Sequence, residues 1–299
     1  MLQRKLLSLS LLLSLGVLVG CQPANDADSE TSASENTAAD SPMQIAEATD
    51  QSMGRLMEAI RHPDRPEQHR ARDDHRNPAE TLTFFGVEPG DTVVELSPGG
   101  GWYSEILARY LKDDGQLIAA HWDLEADIND MYRRVRGQYD ERFGDTESFG
   151  EVVVVPFNPP ETTTLAEPES VDVVLSFRNM HSWTRSGTLP AVFEAAFEAL
   201  KPGGTLGIVG HRLPEDREQD PEARSGYVKQ SYVVELATAQ GFELAESSEI
   251  NANPMDTADH PNGVWNLPPS LRVAEGDEKD YAAIGESDRF TLRFVKPQS

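Results

Sequence analysis

The sequence predicts an α/β fold: a doubly wound, mostly parallel sheet of seven strands with helices on both faces. Three observations predict it. Strand-like and helix-like segments alternate from residue 78 to residue 295, the pattern of strands joined by crossover helices. Residues 92–111, TVVELSPGGGWYSEILARYL, open that alternation as strand, Gly-rich turn and helix. Turns at 86–91 (GVEPGD), 113–115 and 201–204 (KPGG) punctuate it, as Gly and Pro do between regular segments.

Residues 1–21 read as a leader. Arg4 and Lys5 are followed by a 14-residue apolar run over 6–19 and then by Leu18-Val19-Gly20-Cys21. The run is too short for a membrane span and its flanks suit a signal peptide. Its end resembles a bacterial lipobox, which implies lipidation of Cys21. Several acyl chains anchor stably where one does not. Cys21 is the only cysteine, so no disulfide is expected. Gln22 rather than Asp after the Cys resembles an outer-membrane address, facing the periplasm. Residues 22–52 carry seven acids and no Lys or Arg and predict a flexible, disordered linker. Residues 53–299 then form the folded domain.

Within that domain, 53–60 predicts a short amphipathic helix. The charged stretch 62–76 reads either as a solvated face or as a lid over a ligand. Asn77-Pro78 suits an N-cap and first turn, opening a helix through Phe85. Residues 92–96 are β-branched and apolar, as a buried strand requires. Residues 102–111 place Ile106, Leu107, Tyr110 and Leu111 on one helix face. Further strands are expected at 116–121, 152–155, 170–177, 205–209, 242–248 and 290–295. The last alternates apolar and polar residues, like a half-exposed edge. Helices are expected at 124–143, 189–200 and 225–240, and a loop at 178–183. The 251–287 connection is long and rich in Asp, Asn, Pro and Gly; such a stretch is functional or disordered.

The chain has 51 acidic and 26 basic residues, a formal charge of −25. Such a surface repels phosphate backbones and argues against nucleic acid as a partner. Seven scattered His and a single Cys give no metal-ligand spacing. No Gly-x-Ser-x-Gly element supports a hydrolase. A dinucleotide fingerprint wants a third Gly where Ser104 stands.

Residues 93–101 (VVELSPGGG), Leu200-Lys201-Pro202-Gly203-Gly204 and the terminal strand together resemble the class I, seven-stranded S-adenosylmethionine-dependent methyltransferases, over roughly residues 78–297. GGGWYSEIL, Asn179-Met180-His181, His211-Arg212 and DRFTLRFVKP resemble, more narrowly, a bacterial group of predicted methyltransferases of unknown substrate. The resemblance implies a Rossmann-like sheet with an antiparallel last strand, S-adenosyl-L-methionine as cofactor and a small-molecule acceptor. It also implies a cofactor site of Glu95, Ser97, Gly99, Gly100, Gly101, Tyr103 and either His121 or Asp123. Ser97 and His121 stand where the family has Gly and an acid. Asn179, His181 and His211 are the candidate catalytic residues, with Asn179 orienting an acceptor and His181 taking its proton. Arg212 reads as an anion holder or a salt-bridge partner; Trp102 and Trp183 read as pocket walls or core. A second reading is a non-catalytic envelope protein that reuses the fold to bind a ligand; a third is an enzyme that stays in the cytoplasm.

Overall fold

The protein is described here by a computed structural model covering residues 42–277 and 279–298, with side chains from residue 49 onward. The leader, Cys21 and the linker as far as residue 41 lie outside the described residues. Helix α1 (Pro42–Arg61) leads into two single-turn helices, α2 (Glu67–Arg70) and α3 (Asp73–Arg76), and then α4 (Pro78–Phe85). Next come β1 (Thr92–Leu96), α5 (Ser104–Leu111), β2 (Gln116–His121), α6 (Asp130–Phe143), α7 (Thr146–Phe149), β3 (Val152–Pro156) and β4 (Val171–Phe177). The chain continues through α8 (Met180–Ser186), α9 (Leu189–Ala199), β5 (Leu200–Leu213), β6 (Val228–Lys229), α10 (Gln230–Ala239), β7 (Glu243–Ser248) and β8 (Arg289–Val295). No helix among the described residues is long and apolar enough to cross a membrane.

The principal strands run in the order β3-β2-β1-β4-β5-β8-β7, with the two-residue β6 beside the end of β5. Strands β1 to β5 pair in parallel, and β8 is antiparallel to both of its neighbours. Burial on both faces explains the apolar runs. Val94 and Leu96 face the layer of α8, α9 and α10, while Val93 faces that of α1, α4, α5 and α6. Winding reverses between β1 and β4. Ligands of such sheets gather outside the strand ends at that reversal.

Several boundaries differ from expectation. The first helix begins at Pro42, inside the expected linker, rather than at Met53. Its Ser52 hydroxyl reaches Glu88 at 2.7 Å and the Tyr110 hydroxyl at 2.6 Å, contacts that fix residues whose composition alone reads as tether. Asn77 adopts φ 42° and makes no side-chain cap; its amide donates to the Ile250 carbonyl instead. Helix α6 starts only at Asp130, where Asn129 accepts from the Tyr132 N–H. The expected loop at 178–183 is mostly α8. KPGG is the irregular opening of β5, where the register against β4 shifts. Residues 228–229 pair with β5 before α10 begins. The expected edge strand, β8, is inserted in the sheet and buried. Its polar Thr291 is satisfied by the Asn251 amide at 3.0 Å, so alternation there does not mean exposure. The exposed edge is β7.

Candidate functional site

The turn after β1 is built by left-handed backbone. Ser97 has φ 48°, Gly99 φ 60° and Gly101 φ 79°. Only glycine adopts such angles without cost, so Ser97 carries strain of about 1–2 kcal/mol. A Cβ on Gly101 would lie 2.5 Å from the Phe143 ring, whereas one on Gly99 or Gly100 would meet nothing within 4 Å. Gly101 therefore serves packing, and Gly99 and Gly100 face open space.

His121 fastens this turn from below. The Trp122 N–H donates to its Nδ1 at 2.9 Å, so Nε2 carries the proton and donates to the Gly99 carbonyl at 3.0 Å. The ring is fully buried, and that burial pushes its pKa down to about 4. Glu95 is likewise interior. It accepts from the Ser104 hydroxyl at 2.5 Å, and desolvation raises its pKa to about 7. Tyr103 stacks on Phe177 at 3.5 Å between ring centroids and donates to the Arg76 carbonyl at 3.0 Å. Burial raises its pKa to about 12.

Two cavities open at the strand ends and share Ser97. The first, about 350 Å³, is floored by Gly99, Gly100, Arg178, Asn179, His181 and His211. It is walled by Trp102 and Trp265 and by His69, Arg72 and Arg76. The second, about 570 Å³, lies over β2 and β3 and is lined by Trp122, Asp127, Tyr132, Phe157, Asn158 and Trp183. Trp122 and Tyr132 stack there at 4.2 Å. Both volumes suit small ligands. Asn179 stitches the two halves at the winding reversal. Its Nδ2 donates to the Leu96 carbonyl at 2.9 Å and the Ser97 carbonyl at 3.3 Å.

The charged stretch 62–76 is a cap rather than a solvated face. Arg65 is 1% exposed; its two Nη atoms each meet Asp73 at 2.9 Å. The fully buried Glu105 on α5 ties the cap down by accepting from His69 at 2.9 Å and meeting Arg65 at 3.6 Å, and it also holds Arg142 of α6 at 2.6 Å. The Trp102 indole donates to the His69 carbonyl at 3.0 Å. The long 251–287 connection closes the opposite wall through Val264, Trp265, Pro268 and Ser287.

Charge inside the first cavity runs against that of the whole chain. Arg72, Arg76 and Arg178 line it, and Arg289 lies behind. One carboxylate, Glu286, meets Arg72 at 2.6 Å, Arg76 at 3.4 Å and Arg289 at 3.3 Å. Burial alone would raise the Glu286 pKa, but Arg76, Arg289, Arg72 and Arg178 bring it down to about 2. His181 faces the cavity 5.6 Å from the His211 ring. Desolvation, then Arg185 and Arg178, lowers the His181 pKa to about 4. Desolvation, then His181 and the arginines, lowers that of His211, whose Nδ1 lies 2.5 Å from the Ser287 hydroxyl.

Of the residues expected at the site, Ser97, Gly99, Gly100, Asn179, His181 and His211 come together. Glu95, Gly101, Tyr103, His121 and Asp123 do not line either cavity. His121 has both ring nitrogens engaged. Asp123 spends its oxygens on the Glu125 N–H at 2.9 Å and the Thr162 hydroxyl at 3.1 Å. Arg212 is a salt-bridge residue, 2.6 Å from Glu249 and 2.9 Å from Asp288. Trp102 is a pocket wall, and Trp183, 6% exposed, is core that lines the second cavity. Sequence reasoning missed Asp127, Trp122, Arg178 and Trp265. Arg178 alone left a signal, by standing directly after β4. His181 lines the cavity in its neutral form, in which a ring nitrogen is free to accept a proton or a hydrogen bond.

No family model matches the chain. It is similar to an arsenite methyltransferase of Halobacterium salinarum, 25% identical over 173 residues, which cover 54% of this chain and 40% of that protein. The chain thus spans less than half the length of that curated relative. A SAM-dependent methyltransferase structure from Aquifex aeolicus is 16% identical with a TM-score of 0.50, covering 79% of this chain and 96% of that one. The geranyl diphosphate C-methyltransferase of Streptomyces coelicolor A3(2), solved with Mg2+, geranyl diphosphate and S-adenosyl-L-homocysteine, is 12% identical with a TM-score of 0.52, covering 80% and 87%. Likeness at such identities speaks for architecture. Sheet order, antiparallel β8 and these neighbours together show that the chain has the fold of the class I, S-adenosylmethionine-dependent methyltransferases.

Proposed function

We propose that the protein is an S-adenosylmethionine-dependent methyltransferase acting on a small molecule. The observation that carries this reading is the pair of cavities that share Ser97 over the winding reversal. The residues fit the cofactor. Trp122, Tyr132 and Phe157 offer an aromatic wall for the nucleoside, and Asp127, which makes no hydrogen bond or ion pair among the described residues, offers a carboxylate to its hydroxyls. Gly99 and Gly100 leave room for the amino acid end. When bound, the cofactor would supply an electrophilic methyl group for transfer to an acceptor lone pair, with its sulfur as the leaving group. Asn179, at the N-cap of α8, and His181, in its first turn, orient the acceptor, since both line the first cavity. His181 is neutral at pH 7 and accepts a hydrogen bond there.

Calorimetry on the full chain with S-adenosylhomocysteine tests this. One molecule should bind per chain, and Asp127→Asn should weaken it about tenfold. A chain that takes up no cofactor at millimolar concentration contradicts the enzyme and fits instead a binding protein that reuses the fold.

The domain is further proposed to ride on a lipid-anchored envelope protein, on the strength of the lipobox-like ending at Cys21. Palmitate labelling should mark the wild type and miss Cys21→Ala; equal labelling rules the anchor out.

A further inference from the structure

The arginines of the first cavity carry more charge than the protein neutralises. Arg178 sits immediately after β4 with φ 66°, a strained angle for a side chain of its size. Its guanidinium lines the cavity and has no hydrogen bond or ion pair among the described residues. Arg76 is 1% exposed. Its Nε reaches Glu286, but its Nη2 is buried without a partner. Arg72 repeats the pattern: Nε on Glu286 at 2.6 Å, Nη2 buried and unpartnered. Arg289, in contrast, is spent on Glu286, the Ser287 carbonyl and the His75 carbonyl. One carboxylate therefore makes direct contact with three of four clustered guanidiniums, and the fourth, Arg178, feels it only through space.

Burying charged donors without acceptors is costly, and such donors call for a partner: water, an ion or a ligand. The cluster also has a direction. In the sheet order, the nucleoside-sized cavity with Asp127 lies toward β2 and β3, whereas Arg178 and His211 lie at the ends of β4 and β5. A cationic sulfonium held near Ser97 would face these arginines across the same cavity. Two like charges in a partly desolvated space repel unless an anion lies between them. The acidic exterior repels anions, so selectivity for one must come from inside.

We infer that the methyl acceptor carries an oxyanion group, carboxylate or phosphate, which Arg178, Arg72 and Arg76 grip at the β4–β5 end of the cavity. This rests on the methyltransferase reading above. Guanidinium forks match both oxyanions by paired hydrogen bonds, and His181, beside Arg178, is placed to meet the neighbouring reactive atom of the acceptor.

The test is a titration of the full chain, at low ionic strength, with inorganic phosphate, benzoate and the neutral benzamide. Each is run with and without saturating S-adenosylhomocysteine. Phosphate or benzoate should saturate, benzamide should not, and Arg178→Gln should weaken the anion about tenfold or more. Arg72→Gln should do the same, which guards against misfolding of one variant. Cofactor affinity should change less than about twofold in either variant. Absence of anion binding, equal binding of benzamide, or indifference to both substitutions overturns the inference. So does a loss of S-adenosylhomocysteine affinity in Arg178→Gln with 5′-methylthioadenosine unaffected, because the arginines would then hold the cofactor's own carboxylate. Cofactor binding without anion binding sinks this inference alone; anion binding without cofactor binding sinks the methyltransferase reading and, with it, the anion's standing as part of a methyl acceptor.

Discussion

At the scale of single residues, the site is shaped by backbone strain and by buried hydrogen bonds beneath the glycine turn. Ser97 bears a left-handed backbone that glycine would carry more cheaply. Ser97→Gly should raise unfolding free energy by about 1 kcal/mol, part of the relief being lost to glycine's greater unfolded-state entropy; urea denaturation measures it. His121 makes a pH prediction. Its folded pKa, about 4, lies below its ordinary 6.5. Between those values the unfolded chain binds the extra proton, so stability is complete above pH 6.5 and is lost as pH falls toward 4. The slope is on the order of 1.4 kcal/mol per pH unit for this one group. Thermal unfolding of wild type and His121→Gln across that window should show a shallower slope in the variant. Glu286 acts lower down, between 4.5 and about 2, again losing stability as pH falls. The sequence shows His121 at a strand end, but not that Trp122 and Gly99 occupy both its nitrogens. Those partners come from the fold, not from spacing.

Among the elements, the cap of α2 and α3 and the strand β8 are joined through Glu286, which binds Arg72 and Arg76 on one and Arg289 on the other. Glu286→Gln should destabilise the protein by about 3–5 kcal/mol by leaving buried guanidiniums unpaired. Hydrogen exchange should then quicken in residues 62–77 more than in β1 or β4; uniform protection in the two proteins would refute the strap. Elements with a strong period were legible: β1, its glycine turn, α5 and α9 fall close to where the pattern puts them. Elements decided by long-range contacts were not. β8 looks like an edge because Thr291 and Arg293 are polar, yet Asn251 and Glu246 satisfy them from elsewhere in the chain. The 62–76 stretch reads as a solvated face before it reads as a lid, because its charges are buried only by partners such as Glu105 and Glu286.

For the whole molecule, winding order explains why Gly99, Asn179 and His211, distant in sequence, meet at one end of the sheet. Half of the site was readable for that reason: residues just after β1 and β4 and near the end of β5 are placed by the fold itself. The rest sits on aperiodic loops. Asp127 and Trp122 follow β2, and Trp265 lies within 251–287, where neither period nor motif marks them. A crystal structure of the full chain with S-adenosylhomocysteine is the most direct test of function. Adenine density is expected beside Trp122 and Phe157, with the sulfur at the shared Ser97 and the arginine-lined end left for the acceptor. Density lodged solely among Arg72, Arg76 and Arg178, or no ligand density at saturating cofactor, would contradict it.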